Sequence, residues 1–353
     1  MLNFNGMRLK NARLYRGWTV EELASKVEIS KQAISLYENN KNSPSFEKII
    51  ALSKSLKFPY EYFMQPENLK IESGATYFRS LMKTSKKYRK EQVVKMEHLA
   101  GIFSILKEYI IFQELKLPTS KKYSSPTEAA HIVREYWGLG NEPISNIIQV
   151  LESNGIIVTM FPTSTNDIDA FSQYVKVDNS SIFLIALSKN KNSAARIHFD
   201  VAHELGHIIL HGWNDDPEMF TRDEFKNKEK EANEFAAAFL MPEDSFTEDV
   251  SKNHSSFDYY CNLKRKWKVS IAAILYRSRT LNLISSSQYQ YMMRVMQKRM
   301  WRVNEPLDDI LMTAQPSVLK DAVALLLNHN VFNSNEFMNE LAKKGLPMEY
   351  KEV

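Results

Sequence analysis

The chain has 353 residues, a net charge of +4, 44% hydrophobic and 25% charged residues, and a single cysteine, Cys261. That length holds two or three domains with ample core, and the balance of residues excludes collagen-like and extensively disordered protein. One cysteine excludes an internal disulfide and a cysteine-built zinc cluster, and no apolar run approaches the roughly 20 residues of a membrane span.

Residues 6–63 read as a string of four to five short helices with no strand pattern. "MRLKNARLYRG" is amphipathic and stops at Gly17. "TVEELASKV" opens with Thr19 and has Glu22 three residues on, a capping-box signature. "SKQAISLYENN" starts at a Ser30 cap, "SPSFEKIIALSKSL" carries an apolar stripe, and "PYEYFM" closes the block. Residues 64–90 read as a linker with a basic arm, and 91–117 as a long helix. Residues 1–65 hold ten Lys/Arg against six Asp/Glu, and residues 70–125 hold twelve against five, so the first third is the basic part of the molecule. That asymmetry permits a polyanionic partner.

Two further helices, "SPTEAAHIVREYWGL" and "PISNIIQVLESNG", lead into three β-branched and aromatic stretches: "IIVTMF", "AFSQYVKV" and "SIFLIAL". These predict a small, antiparallel sheet. Helices follow at about 193–211, 227–239, 256–267, 270–281 and 286–302, and the 306–353 tail is helical without a chemical motif. The stretch 268–285 has a helix-turn-helix rhythm, but Ile271, Ile274, Leu275 and Leu281 are spaced for burial, so it reads as core. The start lacks a signal-peptide core, so a cytoplasmic protein is expected.

The chemistry concentrates in "DVAHELGHIILH", residues 200–211. On a helix, residues four apart are offset by about 40° and rise by about 6 Å, so His203 and His207 project side by side and can share one Zn²⁺. Glu204 is turned by about 100°, where it can reach a water without being a ligand. His211 lies about 12 Å from His203 along an unbroken helix, too far to share that ion. It stays a candidate to support a ligand or to donate to an oxyanion. The third ligand is sought on the next helix, "EKEANEFAAAFLMP", where Glu229 and Asn233 share a face in the layout of gluzincin-type sites and Glu231 is the runner-up. Ala232, Ala236, Ala237 and Ala238 make a small-residue face suited to packing against the histidine helix.

Taken with "DAFSQYVKV", "IFLIAL", Arg196 and the Met241-Pro242 pair, these motifs make residues 120–285 resemble the ImmA/IrrE family of metallopeptidases. The resemblance implies a zinc-dependent endopeptidase that cleaves a protein partner, typically a repressor, in response to stress. It implies His203, His207 and Glu229 as metal ligands and Glu204 as the base. Residues 6–64 resemble Xre/Cro-type helix-turn-helix repressors through Leu23-Ala24, Ile29-Ser30, Ile34-Ser35, Glu38 and Pro44. Ala24, Val27, Ile29, Ile34 and Leu52 would fill that core. Ser30, Lys31, Gln32 and Ser35 would face the major groove of a double-stranded operator, and Asn40 and Lys41 its phosphates. Val20 stands where such repressors often have a phosphate-contacting Gln.

The expected fold is mainly α with a small β-sheet. Its parts are an all-α helix-turn-helix domain over 1–65, a basic helical connector over 66–120, an α+β zincin-like peptidase domain over 121–285 and a helical region over 286–353. DNA and a repressor-like protein substrate are the expected partners, a membrane is not, and a homodimer would suit paired half-sites. The competing expectation is a transcription factor whose zinc site is structural or sensory.

Overall fold

The amino-terminal helices begin where their polar caps fall. The computed structural model describes residues 4–66, 71–78, 85–119, 122–161, 169–177, 180–189, 193–213, 219–253, 256–302, 304–344 and 346. In it, α1 (Gly6–Tyr15) is capped by the Asn5 side chain, which accepts from the Met7 N–H. The capping box of α2 (Val20–Lys26) is complete: Thr19 accepts from the Glu22 N–H, and the Glu22 carboxylate from the Thr19 N–H. Ser30 caps α3 (Lys31–Glu38), and α4 (Phe46–Leu56) and a 3₁₀ turn (Tyr60–Met64) complete the bundle. Ala24, Ile34 and Leu52 are buried, while Val27 and Ile29 pack half-buried against them. A buried bidentate pair ties α1 to α3: Arg13 Nε and Nη2 donate to the Glu38 carboxylate at 2.6 and 2.8 Å. Its Nη1 donates to the Trp18 carbonyl, so no guanidinium face is left dry. Removing one partner of such a pair costs about 3–5 kcal/mol, because the other charge is stranded.

Among the described residues the sheet has four strands, not three, and it is mixed. β1 (Ile71–Phe78), β2 (Ile157–Phe161), β3 (Ala170–Val177) and β4 (Ser180–Ser188) lie in the order β1-β3-β4-β2. β3 pairs antiparallel with both β1 and β4, but β2 pairs parallel with β4. The antiparallel expectation holds for β3 with β4 and fails for β2. Instead β4 folds back on β3 and inserts between it and β2. That central place explains its apolar run: Phe183, Ile185 and Leu187 face one core, and Ile182, Leu184 and Ala186 the other. Continuous apolar strands are those buried on both faces.

α5 (Lys86–Leu106) covers one face of the sheet with Met96, Leu99, Ala100 and Phe103. The expected 91–117 helix therefore begins earlier and stops at Leu106. Beyond it the chain turns and then runs without regular structure, tied down where the Lys116 N–H donates to the Asn154 carbonyl and Trp137 Nε1 donates to the Lys116 carbonyl. The segment read as a linker also contributes β1, so the connector supplies both an edge strand and a covering helix to the sheet.

The opposite face holds α8 (Ala194–Leu210) and α9 (Arg222–Leu240), with α6 (Pro126–Tyr136) against α9. On the same face, α7 (Ile147–Glu152) packs into the α8 core and leads into β2. Buried Arg134 locks α6 down by donating to the carbonyls of Gly140, Glu142 and Phe239. α10 (Glu243–Lys252), which was not expected, follows directly on Pro242. α11 (Phe257–Trp267), α12 (Ile271–Thr280) and α13 (Ser286–Lys298) close this core, with Ile271, Ile274 and Leu275 fully buried as expected and Leu281 half-buried against them. The tail is helical only at α14 (Val318–Asn328) and α15 (Ser334–Lys343); residues 347–353 lie outside the described residues. Its Ala322, Val323, Leu326, Phe337, Leu341 and Leu346 share one core with Leu9, Ile34, Leu52 and Ile102. The tail is thus packed on the amino-terminal domain and α5. Among the described residues no helix is long and apolar enough to cross a membrane.

Candidate metal centre and nucleic-acid-binding helix

α8 is seated by its other face. Val201, Ala202, Leu205 and Ile208 are buried in the core, and the same turns bury His203, Glu204 and His207 completely. Its start is pinned by Asp308, which accepts from the Ser193 hydroxyl and from the buried Lys264 ammonium. Gly206 lets α9 approach: a Cβ there would lie 3.1 Å from the Cα and carbonyl oxygen of Ala232. The alanine face of α9 is buried as the sequence suggested.

That approach brings three donor groups together. His203, His207 and Glu229 each present one ligand atom within 4.8 Å of the others. The two Nε2 atoms are 3.1 Å apart, and Glu229 reaches them at 3.6 and 3.2 Å. Glu231 is not in this group. It lies 3.0 Å from His211 Nε2 instead.

The surrounding hydrogen bonds fix the imidazole tautomers. The Asn233 amide N–H donates to the Glu229 carbonyl, which leaves its oxygen facing His203 Nδ1 at 3.1 Å. His203 Nδ1 must then carry the proton, and its Nε2 a lone pair. On the other side, His211 Nε2–H donates to the Glu231 carboxylate, so His211 Nδ1 is an acceptor. It accepts from His207 Nδ1–H at 2.8 Å, which again leaves the His207 Nε2 lone pair facing inward. Two lone pairs and a carboxylate, aimed at one point in a buried pocket, fit a zinc-type cation. Burial pushes the His207 imidazole down to about 4, against the raising effect of Glu229. Burial would raise the Glu229 carboxyl, but His203 and His207 outweigh it and hold it at about 2. At neutral pH the His207 imidazole is therefore neutral and the Glu229 carboxylate an anion.

His211 sits where the helix ends, as the extended residue after Leu210 rather than in an unbroken helix. Its ring can swing back to His207 for that reason. Glu204 stands outside the three donors and accepts a hydrogen bond from Ser172 of β3 at 2.5 Å. Ser172 lies in the DAFSQYVKV stretch and is not among the expected site residues. Its only signal is a small polar residue within an aromatic and β-branched strand, which it shares with the buried Gln173 beside it.

In the amino-terminal domain, Ser30, Lys31, Gln32, Ser35, Asn40 and Lys41 are all exposed. Two of them already serve the fold. The Ser30 hydroxyl accepts from the Ala33 N–H, and Asn40 Oδ1 accepts from the Gly6 N–H at 2.7 Å. Lys31 reaches Glu21 at 3.3 Å on the open surface. Gln32 and Ser35 are exposed on α3, and Val20 is half-buried at the start of α2.

Comparison with known families agrees with this division. The family model described as helix-turn-helix matches residues 9–63, and the peptidase model described as IrrE N-terminal-like domain matches residues 151–279. No curated protein matched the chain. The chain thus joins an amino-terminal helix-turn-helix of the Xre/Cro type to a domain of the ImmA/IrrE peptidase family.

Proposed function

We propose that this protein is a DNA-binding transcriptional regulator with zinc-dependent endopeptidase activity, directed at a repressor or other regulatory protein in a stress or mobile-element response. The observation that carries the reading is the convergence of two tautomer-fixed imidazoles and Glu229, with the Glu204 carboxylate beside them and outside the donor set. His203, His207 and Glu229 would hold the ion, which when bound supplies Lewis acidity to water and to the scissile carbonyl. Glu204 takes the proton of the attacking water and passes it to the leaving amine. Ser172 keeps that carboxylate aimed, and Asn233 and His211 keep the imidazoles aimed. With its Nδ1 and Nε2 both engaged, His211 fits this supporting role better than oxyanion donation. A structural or sensory metal site has no use for a buried carboxylate held next to its ligands. Cleavage of a candidate repressor by wild type and by Glu204→Gln is the deciding experiment.

The proposed domains are a helix-turn-helix over 1–65, a connector over 66–120, the peptidase over 121–285 and the carboxy-terminal region over 286–353. The third ligand is tested by metal content. Glu229→Ala is expected to lose stoichiometric zinc after dialysis. Glu231→Ala is expected to keep a site weakened about 10–100-fold, the effect of losing an outer hydrogen-bond partner. The reverse ranking of the two variants would move the ligand to Glu231.

DNA reading is assigned to the first turn of α3. Gln suits adenine, and Lys suits guanine or phosphate. Lys31→Ala with Gln32→Ala should cost about 1–3 kcal/mol per lost base contact. Band shifts on duplexes selected from a random pool measure this. Unchanged sequence preference in the double variant would remove α3 as the reading helix.

A further inference from the structure

The outer edge of β3 runs beside the metal centre, and the chain's own connector covers it. Ser172 of β3 holds Glu204, and the residue paired with Ser172 across the sheet is Tyr77 of β1. Farther along, the register shifts between Ser73 and Thr76, so Gly74 and Ala75 stand against Tyr174 as a bulge. A Cβ on Gly74 would lie 2.9 Å from the Trp213 carbonyl oxygen, two residues beyond His211. β1 therefore passes from the Glu204 side of the site to the carboxy-terminal end of α8.

A peptide bond presented for hydrolysis sits in extended chain, whose N–H and C=O groups need partners once water is excluded. A sheet edge provides them by strand addition. The sheet has two edges, and the β2 edge is separated from β3 by β4. The edge that adjoins Glu204 is the outer edge of β3, and β1 fills it antiparallel. β1 is weakly built for a permanent strand. It reads IESGATYF, with a glycine inside, a bulge, and Glu72 and Ser73 exposed, whereas β4 is buried from Ile182 to Leu187. Interior glycine and a bulge both weaken pairing.

We infer that β1 is an intramolecular stand-in for substrate: it occupies the outer edge of β3 beside the metal site and holds that edge closed to other chains. An extended segment of another protein gains the edge when β1 lifts off. The inference rests on the peptidase reading and adds its regulation. It also gives the DNA-binding half a covalent hold on the site, because β1 lies between the helix-turn-helix and α5.

Binding of a labelled peptide tests it. The probe is a fluorescein-tagged copy of residues 71–78, followed by anisotropy with the zinc-loaded full chain. Gly74→Val drives a branched side chain into the Trp213 carbonyl and frees the edge. Its affinity for the peptide should exceed wild type by about tenfold or more, since an occupied edge lowers apparent affinity by the open fraction. A peptide with Thr76→Pro should not bind. Because Gly74→Val also strains β1, a lock tests the same point independently. Glu72 and Lys176 are opposite and exposed, so Glu72→Cys with Lys176→Cys and Cys261→Ser can be bridged. The oxidised form should bind the peptide about tenfold or more weakly than the same protein reduced. Equal affinity of wild type and Gly74→Val, or of the oxidised and reduced forms, overturns the inference. Hydrolysis of the bound peptide, read by mass, is scored separately. A peptide that binds the freed edge and stays intact with zinc present counts against the peptidase reading and leaves the edge assignment standing.

Discussion

Glu204→Gln is expected to lower cleavage by about 10²–10⁴-fold, the usual contribution of a positioned acid-base group, while zinc content stays at the wild-type level. The amide has the carboxylate's shape and its oxygen can still accept from Ser172, so the packing of α8 against β3 persists. What is lost is the ability to take a proton. Metal content is preserved because Glu204 is not one of the three converging donors. The same pair of proteins identifies the substrate: fragments that accumulate in cells with wild type, and not with Glu204→Gln, are its products. Equal cutting by both forms, or no cutting by zinc-loaded wild type, ends the peptidase proposal and leaves the structural or sensory site.

The inner part of this site was readable in the linear sequence because helical geometry is local. His203 and His207 are one turn apart, and that spacing alone puts them on one face. Glu229 and Asn233 could be paired for the same reason, and the structure brings both to His203. The outer part was not readable, because it depends on contacts between elements. Glu231 differs from Glu229 by two residues. Only the packing of α9 on α8 sends one carboxylate to the Nε2 atoms and the other to His211. Rejecting His211 as a ligand rested on an unbroken helix. The helix in fact ends one residue earlier, and His211 is drawn to His207 rather than to the shared point.

The fold shows the same boundary between local and non-local information. The caps at Thr19 and Ser30 and the buried spacing of Ile271, Ile274 and Leu275 are local signals, and each appears where the residues place it. β1 has no such signal. IESGATYF becomes a strand because β3 offers an unpaired edge, a property of the assembled sheet. α5 is similar. Its residues 93–106 are apolar on more than one side, a pattern of burial all round. Val94, Ile102, Ile105 and Leu106 face the amino-terminal core, while Met96, Leu99 and Phe103 face the sheet. Periodicity can announce such a helix, but not which two bodies it joins.

The tail follows from that junction, and Phe337→Ala should expose it. Phe337 is 1% exposed on α15, against Phe332 and within the core that contains Leu9, Ile34 and Leu52. Truncating a buried aromatic to alanine costs about 3–5 kcal/mol, the lost transfer energy plus the cavity left behind. Leu346 is wedged so closely on α5 that a Cβ on Gly101 would lie 2.6 Å from its Cδ1, which leaves little room to collapse into the void. The loss should fall on the helix-turn-helix, although the substitution lies far from it in sequence. Denaturant unfolding followed at Trp18, in that domain, should move to lower denaturant. Zinc retention should persist under conditions where Trp18 has already lost its folded signal, because the apolar core around α8 and α9 contains no residue of α14 or α15. An unchanged Trp18 transition would detach the tail from the DNA-binding domain. A shift together with loss of operator binding would mean that a region without chemical motif is retained as the last layer of that domain's core. It would also place α1–α4 and α14–α15 on one body, with the metal centre on the other and α5 and β1 between them.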